Sequence, residues 1–310
     1  MSLDRAALLA HARATLAAGS QSFATAARLF DSTTRERAEL LYAWCRACDD
    51  IADGQTLGKG ASRVQDASSR LSTMRALTAR ALAGEETGDP AFDALGLVAS
   101  ETRLPARYPH DLIDGFALDA RDWHPRSEAD LYRYCYHVAG TVGCMMAVVM
   151  GVDPADEAVL DRACDLGIAF QLANIARDIC EDDAVDRCYL PDEWLVEVDI
   201  PPGEHMKPHY RRQLAVLARR LAETAARYER SARAGARTLP FRSAWAVLAA
   251  TGIYGDIARA VALQGEHAWD HRVTTSKAAK AGWIVRAFGQ TVVRSVLPNP
   301  PRTGLWTRSP

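Results

Sequence analysis

Two pairs of aspartates are the residues in this sequence best suited to carry chemistry. Asp49 and Asp53 lie four positions apart in an apolar segment, and Asp178 and Asp182 repeat that spacing in a second one. On a helix, side chains four apart share a face, so each pair places two like charges together and destabilises a bare helix. Apolar neighbours raise this cost because they desolvate the charges. Each pair therefore predicts a bound cation.

The second pair belongs to a longer polar stripe. Gln171, Asn174, Asp178 and Asp182 follow one another at intervals of three, four and four residues, along one face of an otherwise apolar helix. Hard divalent cations such as Mg²⁺ take oxygen ligands and share them between carboxylates, water and substrate phosphates. The two aspartate pairs therefore predict a site that holds a diphosphate through several metal ions.

Arginines accompany both pairs. Arg46, Arg177 and Arg187 lie within one or two helical turns of the acids and could neutralise a departing diphosphate. Two alternatives remain at this point: each arginine pairs with a nearby carboxylate, and an isolated Asp-x-x-x-Asp pair lies on a solvated helix surface. The presence of two such pairs on apolar helices favours the metal site.

The elements that must position these residues are predicted to be helices throughout. Helical periodicity, with abundant Ala, Leu, Arg and Glu, extends over nearly the whole chain, so the fold class is predicted to be all-α. Prolines and glycines divide it into roughly eight or more helices. Ser127 and Asp130 resemble a capping box that begins one of them. We predict one domain over residues 1–296, followed by a proline-rich, extended tail at 297–310.

Composition limits the classes of partner and compartment. A formal net charge of −2 gives no general attraction to nucleic acid, so we expect small-molecule partners. Seven scattered cysteines are not typical of a disulfide framework and fit a reducing compartment. The N-terminal residues lack the features of a signal peptide, which predicts a cytoplasmic protein.

Four segments resemble the squalene/phytoene synthase family, and within it the bacterial phytoene synthases. They are SFATAARLF at 22–30, YAWCRACDDIAD at 42–53, YCYHVAGTVG at 134–143, and NIARDICEDD followed by RCYLP at 174–191. The resemblance extends in consistent order from about Ser20 to Lys277 and is far more specific than any one motif. One position departs from the pattern, because the family often has Gly where Asp186 precedes Arg187.

The resemblance implies an isoprenoid synthase fold, a helical bundle around a deep central cavity. It implies Mg²⁺ or Mn²⁺, three ions with bound diphosphate, held by Asp49, Asp53, Asn174, Asp178 and Asp182. It gives catalytic roles to these four aspartates and to Tyr42, Arg46 and Arg177. It places Ser22, Phe23, Gln171, Arg187, Tyr189, Tyr254 and Arg272 at the substrate, with Lys277 as a further candidate.

Small and aromatic residues of the segment 134–143 are candidates for the hydrocarbon tunnel. The residues that could line it are Tyr134, Tyr136, Val138, Gly140, Val142 and Gly143, since small residues leave room for a chain and aromatic faces tolerate cationic carbon. Ordinary close packing of an apolar helix is the alternative for each of them.

The activity that the resemblance implies is 15-cis-phytoene synthesis, the first committed step of carotenoid biosynthesis. Two geranylgeranyl diphosphates condense head to head through a cyclopropyl diphosphate, with loss of two diphosphates and without NADPH, since the sequence shows no dinucleotide fingerprint. Downstream carotenoid enzymes are expected partners. The alternatives are a synthase of dehydrosqualene or squalene that uses C15 substrate, and a non-catalytic helical lipid-binding protein.

The segment 277–296 supplies a separate hypothesis of peripheral membrane association. Trp283, Ile284, Ala287, Phe288, Thr291 and Val292 can face one way, with Lys280, Arg286 and Arg294 elsewhere. Such an amphipathic helix could lie on a membrane surface. A terminal helix docked on the protein's own core has the same pattern.

Overall fold

Every regular element that the structure describes is helical. The computed structural model describes residues 4–54, 67–121, 123–296 and 299–308, and for Gln21, Ser22 and Asp53 it describes only the backbone. These ranges contain thirteen α-helices and no strand, which confirms the all-α prediction. The chain forms two compact units, Met1–Arg121 with Cys144–Leu160, and Asp122–Gly143 with Asp161–Pro310. The single domain expected from the sequence remains a prediction.

The first unit contains the first aspartate pair on its central helix. Its helices are α1 (Arg5–Gly19), α2 (Gln21–Ala27), α3 (Ser32–Asp53), α4 (Ala67–Leu82), α5 (Pro90–Thr102) and α6 (Arg107–Asp119). Helix α3 packs against α1 and α5, and α4 packs against α5 and α6. Trp44, Phe92 and Tyr108 are fully buried between them. Burial of such aromatic side chains supplies much of the free energy that holds α3 in place.

Local sequence signals set both ends of α3. The Asp31 carboxylate accepts hydrogen bonds from the backbone N–H of Thr34 at 2.9 Å and from its hydroxyl at 2.7 Å, which caps the helix. At the other end, Gly54 adopts φ 63°, the left-handed conformation in which glycine commonly terminates helices. These two residues fix the register of the helix that presents Tyr42, Arg46 and Asp49.

The second unit contains the polar stripe. Its helices are α7 (Glu128–Cys135), most of α9 (Glu157–Asp183), α10 (Asp192–Glu197), α11 (Arg211–Gly235), α12 (Phe241–Gln264) and α13 (Lys277–Val292), and a π-helical turn, Tyr136–Gly140, joins α7 to α8 (Thr141–Val149). The predicted capping box at the start of α7 is confirmed, because Ser127 and Asp130 each accept a hydrogen bond from the other's backbone N–H.

Glycines allow the π-helical turn to lie directly against α9. A Cβ on Gly167 would collide with the carbonyl oxygen of Ala139, and a Cβ on Gly143 would collide with that of Ala163. A Cβ on Gly140 would lie 2.8 Å from the Cys164 sulfur. The absence of side chains at these positions therefore brings the segment 134–143 and the helix of the polar stripe into backbone contact.

One described helical stretch, Phe241–His267, is long and apolar enough to cross a membrane by length and composition alone. The mean hydropathy of its most apolar window is 1.4, and 44% of that window is buried. The stretch includes α12, which packs against both α11 and α13. This packing is typical of a core helix, so the stretch is weak support for a membrane span.

Candidate active site

The first candidate cluster lies on one face of α3. Arg46 donates from Nη1 to Oδ2 of Asp49 at 2.6 Å, and the same nitrogen lies 3.7 Å from Oδ1 of Asp50. The ring of Tyr42, one turn earlier, stacks on Phe23 with centroids 5.4 Å apart. The structure thus brings together the predicted residues Phe23, Tyr42, Arg46 and Asp49. Ser22 and Asp53 were predicted here as well, and their side chains lie outside the described part of the chain.

The second candidate cluster lies on α9, where two arginines converge on one carboxylate. Arg177 donates from Nε to Oδ1 of Asp178 at 2.7 Å and from Nη2 to its Oδ2. Arg272 donates from Nη2 to Oδ1 of the same carboxylate at 2.9 Å, and its Nε lies 3.8 Å from Glu181. Gln171 and Asp182, the other acidic or amide residues of the stripe on this face, are half-buried. The structure therefore shows Arg177 paired with a carboxylate, which was the alternative to a diphosphate contact, and the diphosphate contact stays a prediction.

Asn174 has a buried acceptor without a partner. Its side-chain oxygen Oδ1 forms no hydrogen bond within the described residues. A buried polar oxygen left unpaired costs roughly 1–3 kcal/mol, so such atoms usually have a ligand in the functional state. Asn174 precedes Asp178 by one turn, which places the unpaired oxygen on the same face as the carboxylate.

Ring stacks hold three of the predicted tyrosines in the second unit. Tyr134 stacks on Tyr189 at 4.7 Å and on Trp123 at 5.5 Å, and Tyr254 stacks on Phe170 of α9 at 4.1 Å. The predicted residues Tyr134, Tyr189 and Tyr254 are therefore ordered by ring contacts within the second unit. Their faces can stabilise positive charge on carbon without supplying a nucleophile.

The loop after α9 shows why glycine suits the position that Asp186 occupies in this chain. Asp186 has φ 60°, the left-handed region in which glycine is unstrained. The following N–H of Arg187 donates to the carbonyl oxygen of Asp182 at 2.9 Å, which closes the end of the helix. The loop therefore adopts a glycine-type conformation although the residue is aspartate, and Arg187 and Tyr189 follow directly.

The oxygen donors fit a divalent metal that is shared with substrate. Within the described side chains, no group of three or more His, Cys, Asp or Glu residues is close enough to hold an ion unaided. Mg²⁺ typically binds one or two carboxylates and completes its shell with water and substrate phosphate. Asp178 and the unpaired oxygen of Asn174, which share one face of α9, match this kind of site. Cys48 is fully buried on α3, and burial raises the pKa of its thiol well above the ordinary value.

Three further residues near the site were not predicted from the sequence. Asp50 shares the guanidinium of Arg46 with Asp49, and its position directly after Asp49 was the available signal. Trp269 donates from its indole N–H to the carbonyl oxygen of Ala176 at 3.1 Å, which holds the segment before Arg272 against α9. Buried His205 lies 3.3 Å from Asp183, and burial lowers its pKa. The last two contacts join residues distant in sequence, so no local pattern indicates them.

Helix α13 differs from the amphipathic face that the sequence predicted. Ala287 and Thr291 of that face are fully buried, and Phe288 contacts Phe241 and Trp245. The apolar side chains that remain exposed on and after the helix include Val285, Val292 and Val296. Packing against the second unit therefore buries part of the predicted apolar face. The apolar surface left exposed is smaller than the sequence predicted.

Comparison with known proteins indicates which family this chain resembles. The squalene/phytoene synthase family model matches residues 16–279. A phytoene synthase of Pseudescherichia vulneris is 47% identical over 97% of this chain and 98% of its own length. A 15-cis-phytoene synthase of Pantoea ananas is 45% identical over 99% of both chains.

Solved structures show the same fold. A dehydrosqualene synthase superposes with a TM-score of 0.82 at 24% identity, over 92% of this chain and 97% of its own. A squalene synthase of Alicyclobacillus acidocaldarius superposes with a TM-score of 0.69 at 20% identity, over 93% of this chain and 97% of its own. At such identity the likeness concerns the fold alone, and it confirms the predicted isoprenoid synthase fold. With the match over residues 16–279 and the full-length relatives, it follows that this chain belongs to the squalene/phytoene synthase family.

Proposed function

We propose that this chain is a 15-cis-phytoene synthase, a metal-dependent prenyltransferase that condenses two geranylgeranyl diphosphates head to head. The observation that carries the proposal is 45–47% identity, over at least 94% of the chain, to bacterial enzymes that are named phytoene synthases. The site chemistry supports it, because carboxylates, an amide oxygen and arginines lie beside aromatic and apolar walls. This combination suits ionisation of an allylic diphosphate and protection of the resulting cation.

Asp49, Asp53, Asn174, Asp178 and Asp182 are the proposed ligands of Mg²⁺ or Mn²⁺. A divalent ion bound there would act as a Lewis acid toward the diphosphate oxygens. Three ions are proposed with bound diphosphate, and the carboxylates would balance the part of their charge that the diphosphate does not. The ion would also satisfy the Asn174 oxygen, which has no hydrogen-bond partner within the described residues.

Arginines of the site have a second proposed role toward the leaving diphosphate. Arg177 and Arg272 neutralise Asp178 in the structure. When a cation binds that carboxylate, the two guanidinium groups can turn to phosphate oxygens, which arginine can bind in a bidentate manner as Arg177 binds Asp178. Arg46 has the same relation to Asp49, and Arg187 is proposed to act with them.

The aromatic and apolar residues are proposed to bind the hydrocarbon and exclude water. Phe23, Tyr42, Tyr134, Tyr189 and Tyr254 present ring faces, and Val138 and Val142 are half-buried apolar side chains on the segment after Tyr134. Carbocations react with water, so a dry wall is required for the hydrocarbon product. The proposed reaction includes no nicotinamide, because the last carbocation becomes the hydrocarbon product by losing a proton and is not reduced.

Product analysis tests the proposal. Purified protein would be incubated with Mg²⁺ or Mn²⁺ and, in separate reactions, with C20 and C15 diphosphates in the absence of NADPH. We expect a C40 triene from the C20 substrate by mass spectrometry, and the Asp178→Asn variant as control should give none. A C30 product alone would favour the C15-using alternative, and absence of any product or diphosphate release would favour a lipid-binding protein.

The finer proposal on location is peripheral attachment to the inner face of the cytoplasmic membrane through α13. Val285, Val292 and Val296 are exposed apolar side chains, and Arg286 and Arg294 lie in the same segment. Apolar insertion combined with basic residues favours an anionic lipid surface. The substrate, the product and the downstream carotenoid enzymes expected to consume that product would meet there. Co-sedimentation with anionic vesicles tests it, and equal binding by wild type and a Val285→Glu/Val292→Glu variant would refute it.

A further inference from the structure

The last described residues form a C-terminal strap, residues 299–308, that is anchored to the second unit by a buried ionic cluster. Arg302 donates from Nε and Nη2 to the two carboxylate oxygens of Asp165, each at 2.8 Å, and from Nη1 to Asp161 at 3.0 Å. Arg308, which is 4% exposed, lies 3.0 Å from the other oxygen of Asp161. Both arginines of the strap therefore form ion pairs with acids of α9.

The cluster makes detachment of the strap costly. Asp165 is fully buried, and besides Arg302 the Ser231 hydroxyl donates to its carboxylate at 2.5 Å. Removing a guanidinium from a buried carboxylate leaves an uncompensated charge, which is far more unfavourable than breaking a surface ion pair. Backbone contacts add to the anchor, since Arg162 donates to the carbonyl oxygen of Pro300 at 2.9 Å and Arg227 to that of Gly304 at 2.8 Å.

The anchored strap places Trp306 against the π-helical turn. The Trp306 backbone N–H donates to the Tyr228 hydroxyl at 3.1 Å, and its indole contacts the ring of Tyr136 with centroids 5.6 Å apart. Tyr136 is the first residue of the turn, and its carbonyl oxygen accepts the hydrogen bond from the N–H of Thr141 that defines the π geometry. Trp306 thus contacts the residue at which the helix changes from α to π.

A π turn needs such support because it is less stable than the α-helix on either side. A π turn contains one more residue than an α-helical turn, which widens the helix. Such turns persist where contacts with the surrounding structure hold them in place. Relaxation to α geometry would rotate the residues after the turn relative to Tyr134, whose ring is stacked on Tyr189. Val138 and Val142 would then change direction with respect to that aromatic wall.

We infer that Trp306 is a positioning residue for the hydrocarbon wall, acting through Tyr136 to hold the π turn and thereby the preference for C20 over C15 substrate. The inference rests on the proposed function, because it takes Val138 and Val142 as part of that wall. A longer substrate contacts more of the wall than a shorter one, so a shift of the turn penalises the C20 substrate more.

The test compares Trp306→Ala with Trp306→Phe and with Trp245→Ala. Phenylalanine retains a ring for Tyr136, and Trp245 is a half-buried tryptophan of the same unit whose indole donates to the carbonyl oxygen of Ile284 instead. Two quantities are measured for each protein: the ratio of kcat/KM for C20 to that for C15 diphosphate, and the amide hydrogen exchange of the segment 136–143. Thermal unfolding of all three variants serves to compare their overall stability.

We expect Trp306→Ala to lower the C20/C15 ratio about tenfold and to speed exchange of the segment 136–143 by a similar factor. Trp306→Phe should keep the C20/C15 ratio and the exchange rate close to those of the wild type. Trp245→Ala should change neither quantity, even where it loses as much stability as Trp306→Ala. Unchanged exchange and an unchanged ratio in Trp306→Ala would overturn the inference, as would an equal change in Trp245→Ala. A wild-type protein that makes no C40 product would refute the proposed function instead, while the exchange data would still report whether Trp306 holds the turn.

Discussion

Arg272 donates from Nη2 to Oδ1 of Asp178 at 2.9 Å, although 94 positions separate the two residues along the chain. Arg177, the immediate neighbour of Asp178, reaches the same oxygen at 2.7 Å. One carboxylate of the stripe is thus matched by two guanidinium groups, a local and a distant one. Both guanidinium groups next to this proposed ligand could bind a diphosphate once a metal ion has taken the carboxylate.

Arg272→Gln is expected to lower kcat by about a hundredfold, because it removes one of two cations proposed to stabilise the departing diphosphate. Its effect on the free energy of unfolding should stay within about 0.5 kcal/mol, since the side chain is 55% exposed. Steady-state kinetics and urea unfolding measure the two quantities. Arg212→Gln is the matched control, as Arg212 is 88% exposed and pairs with Glu266. Equal activity of the two variants would contradict a role for Arg272 at the diphosphate.

Asp49→Asn and Asp50→Asn separate the proposed metal ligand from its neighbour. Both carboxylates lie near Arg46, at 2.6 and 3.7 Å, so both variants weaken a charge contact with the same guanidinium. We expect Asp49→Asn to lower kcat by about a thousandfold through loss of a metal ligand, and Asp50→Asn by less than about tenfold. Titration with Mn²⁺ measures the metal requirement directly. A larger loss of kcat in Asp50→Asn than in Asp49→Asn would show that the sequence pattern identified the wrong one of these two neighbouring aspartates as the metal ligand.

Asp31 should make the first unit sensitive to acid. Hydrogen bonds from the Thr34 backbone N–H and hydroxyl lower the pKa of Asp31 below its ordinary 3.8. A carboxylate with a depressed pKa in the folded state stabilises that state above the unfolded pKa, and this contribution is lost as pH falls through the folded pKa. We therefore expect Asp31→Ala to cost about 0.5–1 kcal/mol at pH 7, a modest value for an exposed cap.

The difference between wild type and Asp31→Ala should shrink as pH falls below about 3.8, as measured by urea unfolding at several pH values. Glu85→Gln is a suitable control, because Glu85 is 60% exposed and forms a surface pair with Arg80. A difference that stays constant down to acid pH would mean that the charge of Asp31 does not contribute to the cap.

Asp186→Gly is expected to stabilise the protein by about 0.5–1 kcal/mol. Asp186 has φ 60°, which is unfavourable for residues with a Cβ and free of strain for glycine. Gly54→Ala is the mirror control, since Gly54 has φ 63° and should lose about 1 kcal/mol when a Cβ is added. Thermal or urea unfolding compares the pair. A loss of stability in Asp186→Gly would indicate that the aspartate side chain makes a stabilising contact that outweighs the strain.

The sequence by itself determined the helical class, the family and the face of each helix on which the reactive residues lie. Helical spacing placed Asn174, Asp178 and Asp182 on one stripe, and local capping at Ser127 began α7 where the pattern indicated. Such features depend on residues three or four positions apart, so a single sequence contains the necessary information.

Tertiary structure alone decided which residues distant in sequence contact α9. The contacts of Arg272 with Asp178, Trp269 with Ala176 and Arg302 with Asp165 span from about ninety to well over a hundred positions, and the π turn at Tyr136 has no sequence signature of its own. Burial made the difference for the carbonyl oxygen of Ala176 and for the carboxylate of Asp165. A charge or polar group removed from water requires a partner, and only the packed fold determines which residue is close enough to supply it.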